Sequence, residues 1–262
     1  MGIVIITTAE DSKRSFVNTL HRKSGENVNL VIIQEPFKLS IFRRFKRLYK
    51  DFGPQTLLKE IFYSILLRLD SRKRNALEYF RERNETVSEK KYLPKTLKVF
   101  SVNSPEISNI LQKLSPELMV IWGSAIIKPN ILKTAKKAIN LHMGLCPHYR
   151  GAVANQSAIL RRDLSKIGAT IHYVEKNVDA GDILSTIMAD ISKPPRNLFR
   201  ELNHRAEKNY IEIALRLFNG ENLPRRPQNM SLGENFKLKD WIPSTRYKLA
   251  QQIINWEKTG TL

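Results

Sequence analysis

The sequence predicts an α/β fold built on an open, mostly parallel sheet of about seven strands. Short runs rich in Val and Ile recur along the chain with helical stretches between them. At 262 residues and 42% hydrophobic content, the chain has enough material for one large domain with a sizeable core. One long stretch, about 38–92, breaks the alternation and reads as a helical insertion.

The elements follow in order. Residues 2–7 (GIVIIT) and 28–34 (VNLVIIQ) are apolar runs suited to strands buried on both faces. Between them, Asp11 or Ser12 is placed to cap a helix running to about Arg22. This opening resembles a Rossmann-type βαβ unit, yet TTAEDS follows the first strand where a G-x-G-x-x-G fingerprint would stand, so a dinucleotide has no obvious cradle. In the insertion, IFRRFKRLY, LLKEIFYSILLRL and RNALEYFRER place Phe, Leu and Ile on one helical face and Arg and Lys on the other. Alternation resumes with strands at 98–102, 118–122, 138–142, 168–174 and 182–190. Helices start at Ser104-Pro105 and run to about Leu114, and at Pro129 to about Lys136. Pro194-Pro195 precedes a long helix, about 196–219. The remainder, 221–262, is a Pro/Arg-rich linker and a final amphipathic helix over 245–257 with Ser244 as its cap, a small C-terminal appendage to a catalytic domain spanning 1–220.

Charge is the compositional outlier. Forty-four Lys and Arg against 25 Asp and Glu give +19 at pH 7. Residues 38–98 hold 17 basic and seven acidic residues, a net of +10. Excess positive charge suits polyanionic or phosphorylated partners. For the insertion, the plain reading is a solvated face docked on the core; the sharper one is a surface for acidic membrane, in peripheral contact, or for a phosphorylated partner. No apolar run reaches the ~18 residues that span a bilayer. The first residues read as a buried strand and not a signal peptide. The single cysteine, Cys146, fits a reducing cytoplasm and reads as a packed small hydrophobe. The five His and one Cys show no metal-ligand spacing, so no metal is expected.

Ligands of open α/β sheets bind outside the carboxyl ends of the strands. The strand 138–142 ends in Asn140-Leu141-His142, and alternation places Asn140 and His142 on one side of it. An Asn amide can donate to a developing oxyanion, and a His can give or take a proton. The loop Asn177-Val178-Asp179-Ala180-Gly181-Asp182 supplies carboxylates expected at the same sheet edge. A carboxylate beside a His orients the ring and stabilises its charged form. His172 falls within a strand and reads as a structural residue or one that orders the site.

INLHMGLCPHYRG followed by GATIHYVEKNVDAGDIL resembles the N-formyltransferases that use 10-formyltetrahydrofolate, whose pattern is roughly N-x-H-x-S-x-L-P-x-Y/F-R/K-G, then G-x-T-x-H and D-x-G. The resemblance covers about 116–191 and implies that Asn140, His142 and Asp179 are the catalytic residues. It also implies that Ile121, Gly123, Ser124, Ala125, Ile126 and Ile127 line a folate pterin pocket, and that Glu175, Lys176, Asn177 and Val178 form a loop contacting the pterin. Gly144 stands where the family usually has Ser, and Cys146 where Leu is usual. Tyr149 and Arg150 are candidates to meet the substrate, Arg150 through a phosphate.

The acceptor is read from what surrounds the motif. About 40 residues follow the long helix, too few for the C-terminal barrel that the resemblance associates with methionyl-tRNA enzymes, so no nucleic acid is expected. TTAEDS lacks the Gly-rich phosphate loop of the glycinamide ribonucleotide enzymes. The resemblance is therefore closest to the bacterial amino-sugar enzymes, with a nucleotide-linked amino sugar of O-antigen or capsule synthesis as substrate. Hydroxyornithine, glycinamide ribonucleotide and methionyl-tRNA are the alternative amines, a non-catalytic basic binding or membrane-docked protein the alternative class, and the tail the candidate arm for a homodimer.

Overall fold

A computed structural model of the chain describes residues 2–35, 41–81, 89–175 and 177–261; for residues 11, 12, 41–48, 51 and 52 only the backbone is described. In chain order the strands are β1 (Ile3–Thr8), β2 (Val28–Gln34), β3 (Thr96–Val99), β4 (Leu118–Trp122), β5 (Lys137–His142), β6 (Tyr149–Gly151), β7 (Gly168–Tyr173), β8 (Ile183–Met188) and β9 (Glu234–Phe236). The helices are α1 (Asp11–Lys23), α2 (Ile41–Leu69), α3 (Ser71–Glu78), α4 (Pro105–Leu114), α5 (Pro129–Leu132), α6 (Ala154–Leu160), α7 (Pro195–Phe218) and α8 (Pro243–Thr259).

Seven strands form one sheet in the order β3-β2-β1-β4-β5-β7-β8. Pairing is parallel from β3 to β5, while β7 and β8 add antiparallel strands at the far edge. The predicted mostly parallel sheet is thus present. A small second sheet, β6 with β9, has no counterpart in the sequence reading. In β1, Ile3, Val4, Ile5 and Ile6 are all fully buried, as a central strand covered on both faces requires. Alternate residues feed two cores. Ile3, Ile5, Val120, Ile139 and Leu141 pack with α1, α6, α7 and α8. Val4, Ile6, Met119 and Ile121 pack with Ile107 and Leu111 of α4 and Ile131 of α5.

Local signals set several boundaries. Ser104 accepts from the Ile107 amide at 3.4 Å and Pro105 opens α4, as predicted. Others are corrected. The cap position of α1 is Glu10, not Asp11 or Ser12, whose side chains lie outside the described residues. The helix at Pro129 stops at Leu132, and β3 sits at 96–99 rather than 98–102. Ser244 lies inside α8, where its backbone N–H and hydroxyl donate to Glu60 at 2.8 and 2.6 Å instead of capping.

The insertion is helical where it is described; residues 38–40 and 82–88 of it lie outside the described residues. Gly53, at φ +78°, and Pro54 break α2 into two pieces. Asp70 caps α3 through the Lys73 amide at 3.1 Å. The inner faces of α2 and α3 rest on α8. Through Leu249, Ala250, Ile253 and Trp256, α8 is itself part of the larger core. The α8 helix therefore packs as an integral layer on the same body.

Candidate active site

The chemistry gathers on the face of the sheet that carries the smaller core. Ile121 pairs in register with Asn140 across β4 and β5, and Asn140 pairs with His172 across β5 and β7. Cross-strand partners share a face, so Asn140 and His172 stand side by side, with His142 two residues further along it. The Asn140 Nδ2 lies 3.2 Å from His172 Nε2.

The loop carrying Asp179 brings its carboxylate to the same sheet edge as Asn140 and His142, as expected, but by an indirect course: because β7 runs antiparallel to β5, the loop leaves near the start of β5, where the Val174 amide donates to the Ala138 carbonyl at 2.9 Å, and doubles back. Asp179 turns through a left-handed φ of 49°, which Asp tolerates better than most residues. Gly181 follows, where an added Cβ would collide with the Tyr173 carbonyl. The turn is held from outside by Gln228, whose Nε2 donates to the carbonyls of Asp179 at 3.0 Å and Gly181 at 2.6 Å.

This geometry brings the Asp179 carboxylate to the three other side chains. Its Oδ2 lies 3.3 Å from His142 Nδ1 and accepts the Gly151 backbone N–H at 2.9 Å. Its Oδ1 lies 3.4 Å from both His172 Nε2 and Asn140 Nδ2. The side chains are nearly enclosed: 7% of His142, 2% of His172 and 13% of Asp179 is exposed. Burial pushes the carboxyl upward in pKa. His142, His172 and the Gly151 amide outweigh that and hold it well below the usual carboxylate range, so it is ionised at neutral pH. The far side of the His142 ring, Nε2, faces the Tyr149 carbonyl at 2.9 Å. Both of its neighbours are acceptors, so the doubly protonated ring satisfies both. The His172 Nδ1 faces the Tyr173 carbonyl at 2.7 Å. With its proton there, the neutral ring accepts from Asn140; the charged ring also donates towards Asp179. Such an assembly can donate to a developing negative charge and pass a proton.

Gly144 makes physical sense of one departure from the family pattern. A Cβ there would lie 2.5 Å from His142 Nε2, 2.8 Å from the Tyr149 carbonyl and against the Ala154 methyl. A Ser does not fit unless these neighbours move. Cys146 is buried and its thiol is pushed upward, first by burial and then by the Asp179 charge, so it is no nucleophile at neutral pH.

The other expected residues divide. The 123–126 turn at the end of β4 is accessible, with Gly123 at φ +74°, Ser124 half-buried and Ile126 68% exposed; the Ala125 amide is bound by Gln34 at 2.8 Å. Glu175 and Asn177 are exposed, Val178 half-buried, and Lys176 lies outside the described residues. Ile127 is 7% exposed and packs in the smaller core, so its side chain faces inward rather than into a pocket. Tyr149, expected to meet substrate, is corrected: its ring is 5% exposed, stacks 5.3 Å from Phe236, and its hydroxyl donates to Asp163 at 3.1 Å. Burial and Asp163 push that phenol up to about 12. Arg150 is half-buried and donates to the Gly233 carbonyl at 3.2 Å. Sequence reasoning missed Gln228, which sits in a stretch that reads as linker. The described residues contain no cluster of His, Cys, Asp and Glu able to hold a metal.

Known proteins resemble the chain in sequence and in fold. Residues 68–213 match the model of the family described as "Formyl transferase". The methionyl-tRNA formyltransferase of Syntrophus aciditrophicus (strain SB) is 31% identical over 136 residues, 50% of this chain and 43% of that protein. That of Methylacidiphilum infernorum (isolate V4) is 28% identical over 60% of this chain and 48% of its own length. The chain thus spans less than half the length of these relatives. Among solved structures, a sugar N-formyltransferase from Shewanella sp FDAARGOS_354 superposes over 97% of this chain and 88% of its own at TM-score 0.57 and 14% identity. Phosphoribosylglycinamide formyltransferase from Bacillus halodurans does so over 84% and 98% at 0.53 and 17%. At these identities the likeness is one of fold. With the family's model matching more than half of its length, the chain belongs to the formyl transferase family.

Proposed function

We propose that the protein transfers a formyl group from 10-formyltetrahydrofolate to the amine of a nucleotide-linked amino sugar. The observation that carries formyl transfer is the Asp179 carboxylate held between His142 and His172 beside Asn140. The residues present suit a folate. Ile121 adjoins Asn140 in register, the 123–126 turn after it is open, and Glu175, Asn177 and Val178 lie on the same accessible loop as Asp179. The folate supplies a formyl carbon open to attack by a neutral amine. Asn140 and protonated His142 donate to the charge that develops on the formyl oxygen, each donor contributing ~3–4 kcal/mol. Asp179 orients the His142 ring through Nδ1 at 3.3 Å. His142 gives its proton to the folate nitrogen that leaves as the C–N bond breaks and takes up the one that the amine sheds, so the ring ends protonated as it began, an effect on the order of 10²–10⁴ in rate.

For the acceptor, the support is indirect. The Shewanella sugar enzyme overlays nearly the whole chain, including the packed tail. A structural neighbour named as a sugar 3N-formyl transferase, TM-score 0.56, is described in the presence of dTDP and 5-N-formyl-THF. A diphosphate also suits a chain of net charge +19. The same charge, with the methionyl-tRNA formyltransferases among the sequence relatives, favours tRNA as the second reading.

Incubation with 10-formyltetrahydrofolate and separate amines settles the choice: nucleotide-linked 3- and 4-amino sugars, hydroxyornithine, glycinamide ribonucleotide and methionyl-tRNA. Release of tetrahydrofolate with an amino sugar alone is the expected result, abolished by His142→Ala. Turnover of methionyl-tRNA alone transfers the assignment to the second reading. No turnover of any amine, with His142→Ala binding folate as the parent does, removes the enzymatic reading altogether.

A further inference from the structure

The second half of α2, from Pro54 to Leu69, shows two unlike faces. Inward, Glu60 is 1% exposed and bound by Ser244, Leu67 is 6% exposed, and the Tyr63 ring lies 5.2 Å from that of Tyr247 on α8. Outward, Leu58, Phe62, Ile65 and Leu69 are 70, 57, 49 and 79% exposed. Their spacing of four, three and four residues makes one continuous apolar ridge. Nothing in the described chain covers it. At 100° per residue, Lys59 and Arg68 flank the ridge roughly a quarter-turn to either side, and both are exposed. Beyond Leu69 the ridge runs into an open groove of about 450 Å³ lined by Leu66, Leu69, Asp70, Ser71, Arg72 and Tyr247.

The charges decide what fits. Of the two acids in this stretch, Glu60 is turned into the core and Asp70 is paired with Lys73 at 2.5 Å. The outward face therefore presents apolar side chains rimmed by cations that have no acidic partner among the described residues, within a region of net charge +10. Two copies of such a face repel one another, which disfavours self-association. No described helix is long and apolar enough to cross a membrane. A ridge of Leu, Ile and Phe rimmed by Lys and Arg suits a helix lying in the headgroup layer of an anionic bilayer. We propose that this face docks the protein on membranes carrying anionic phospholipid, with Leu58, Phe62, Ile65 and Leu69 entering the headgroup boundary and Lys59, Arg68 and Arg72 meeting lipid phosphates. The inference stands independently of the acceptor.

The test is co-sedimentation of the full chain with vesicles of phosphatidylcholine alone and of an equimolar mixture with phosphatidylglycerol. The expected result is binding to the mixed vesicles only. The Phe62→Ser/Leu69→Ser double variant should lose roughly tenfold or more of that binding, and Lys59→Glu or Arg68→Glu roughly fivefold or more each. All four side chains are exposed, so melting temperature and far-UV circular dichroism should match the parent. Lys113→Glu, an equally exposed site on α4, should leave binding unchanged. Absence of binding to mixed vesicles overturns the proposal. So does a loss in Lys113→Glu equal to that in Arg68→Glu, which reduces the effect to net charge. Concentration-dependent self-association in sedimentation velocity, abolished by Phe62→Ser/Leu69→Ser, would give the ridge to a second copy of the chain instead.

Discussion

Asp179 is where stability and reactivity meet in one side chain. Its carboxyl is buried yet ionised, because His142, His172 and the Gly151 amide favour the charged form more than burial disfavours it. A depressed carboxylate pKa contributes stability that is fully present above the unfolded value of 3.8 and is lost as pH falls below it. In Asp179→Asn that contribution is gone at every pH. The urea midpoint of the parent should therefore exceed that of the variant at pH 7, and the gap should close as pH is lowered through the carboxylate range. A gap that stays constant down to pH 3 would contradict the ionised assignment. Turnover in Asp179→Asn should fall on the order of 10²–10⁴-fold, since His142 loses the carboxylate that orients its ring. This residue was legible in sequence through its motif. The role of His172 was only half legible: its strand was evident, but its position opposite Asn140 depends on an antiparallel register that pairs distant segments.

Between elements, the junction of β4, β5 and α7 is tied by one phenol. Tyr210 is fully buried on α7. It donates towards the carbonyls of Ile121 and Ile139 at 2.8 and 2.9 Å and accepts the Ile121 amide at 3.0 Å. These backbone groups adjoin Asn140, so the helix on one face braces the strand that presents the site on the other. Tyr210→Phe keeps the ring and leaves buried backbone groups without a partner. It should cost about 1–3 kcal/mol in chemical denaturation. A change within error would show that the strands hold this geometry unaided. The strands and α4 could be read from local signals, namely apolar runs, Ser104 and Pro105. Strand direction could not: β7 looks like any other apolar run, and only pairing makes it antiparallel, so the course by which the Asp179 loop reaches the site is not written in its own residues.

Across the whole molecule, the tail holds the larger core and the insertion together. Trp256 is 2% exposed inside that core, while Tyr247 and Ser244 meet the insertion on the same helix. Trp256→Ala should lower stability by about 3–5 kcal/mol, measured by urea unfolding, and turnover should fall with the folded fraction. A loss under 1 kcal/mol would mean that α8 contributes little to the common fold. Spacing in the sequence foretells an amphipathic helix here. It does not say against what the helix packs, because that surface is assembled from α2, α3 and α6 far along the chain.

The Gln228 clamp has a consequence in time. The turn that places Asp179 is closed by a side chain 49 residues later, and the strand carrying Gly151 is paired by β9, later still. On a ribosome the motif residues emerge well before either partner. The nascent chain thus carries its reactive groups for some seconds without their final arrangement. The turn and the strand beside it gain these partners only as the tail docks, so a chain cut before Gln228 is expected to lack turnover in the same assay.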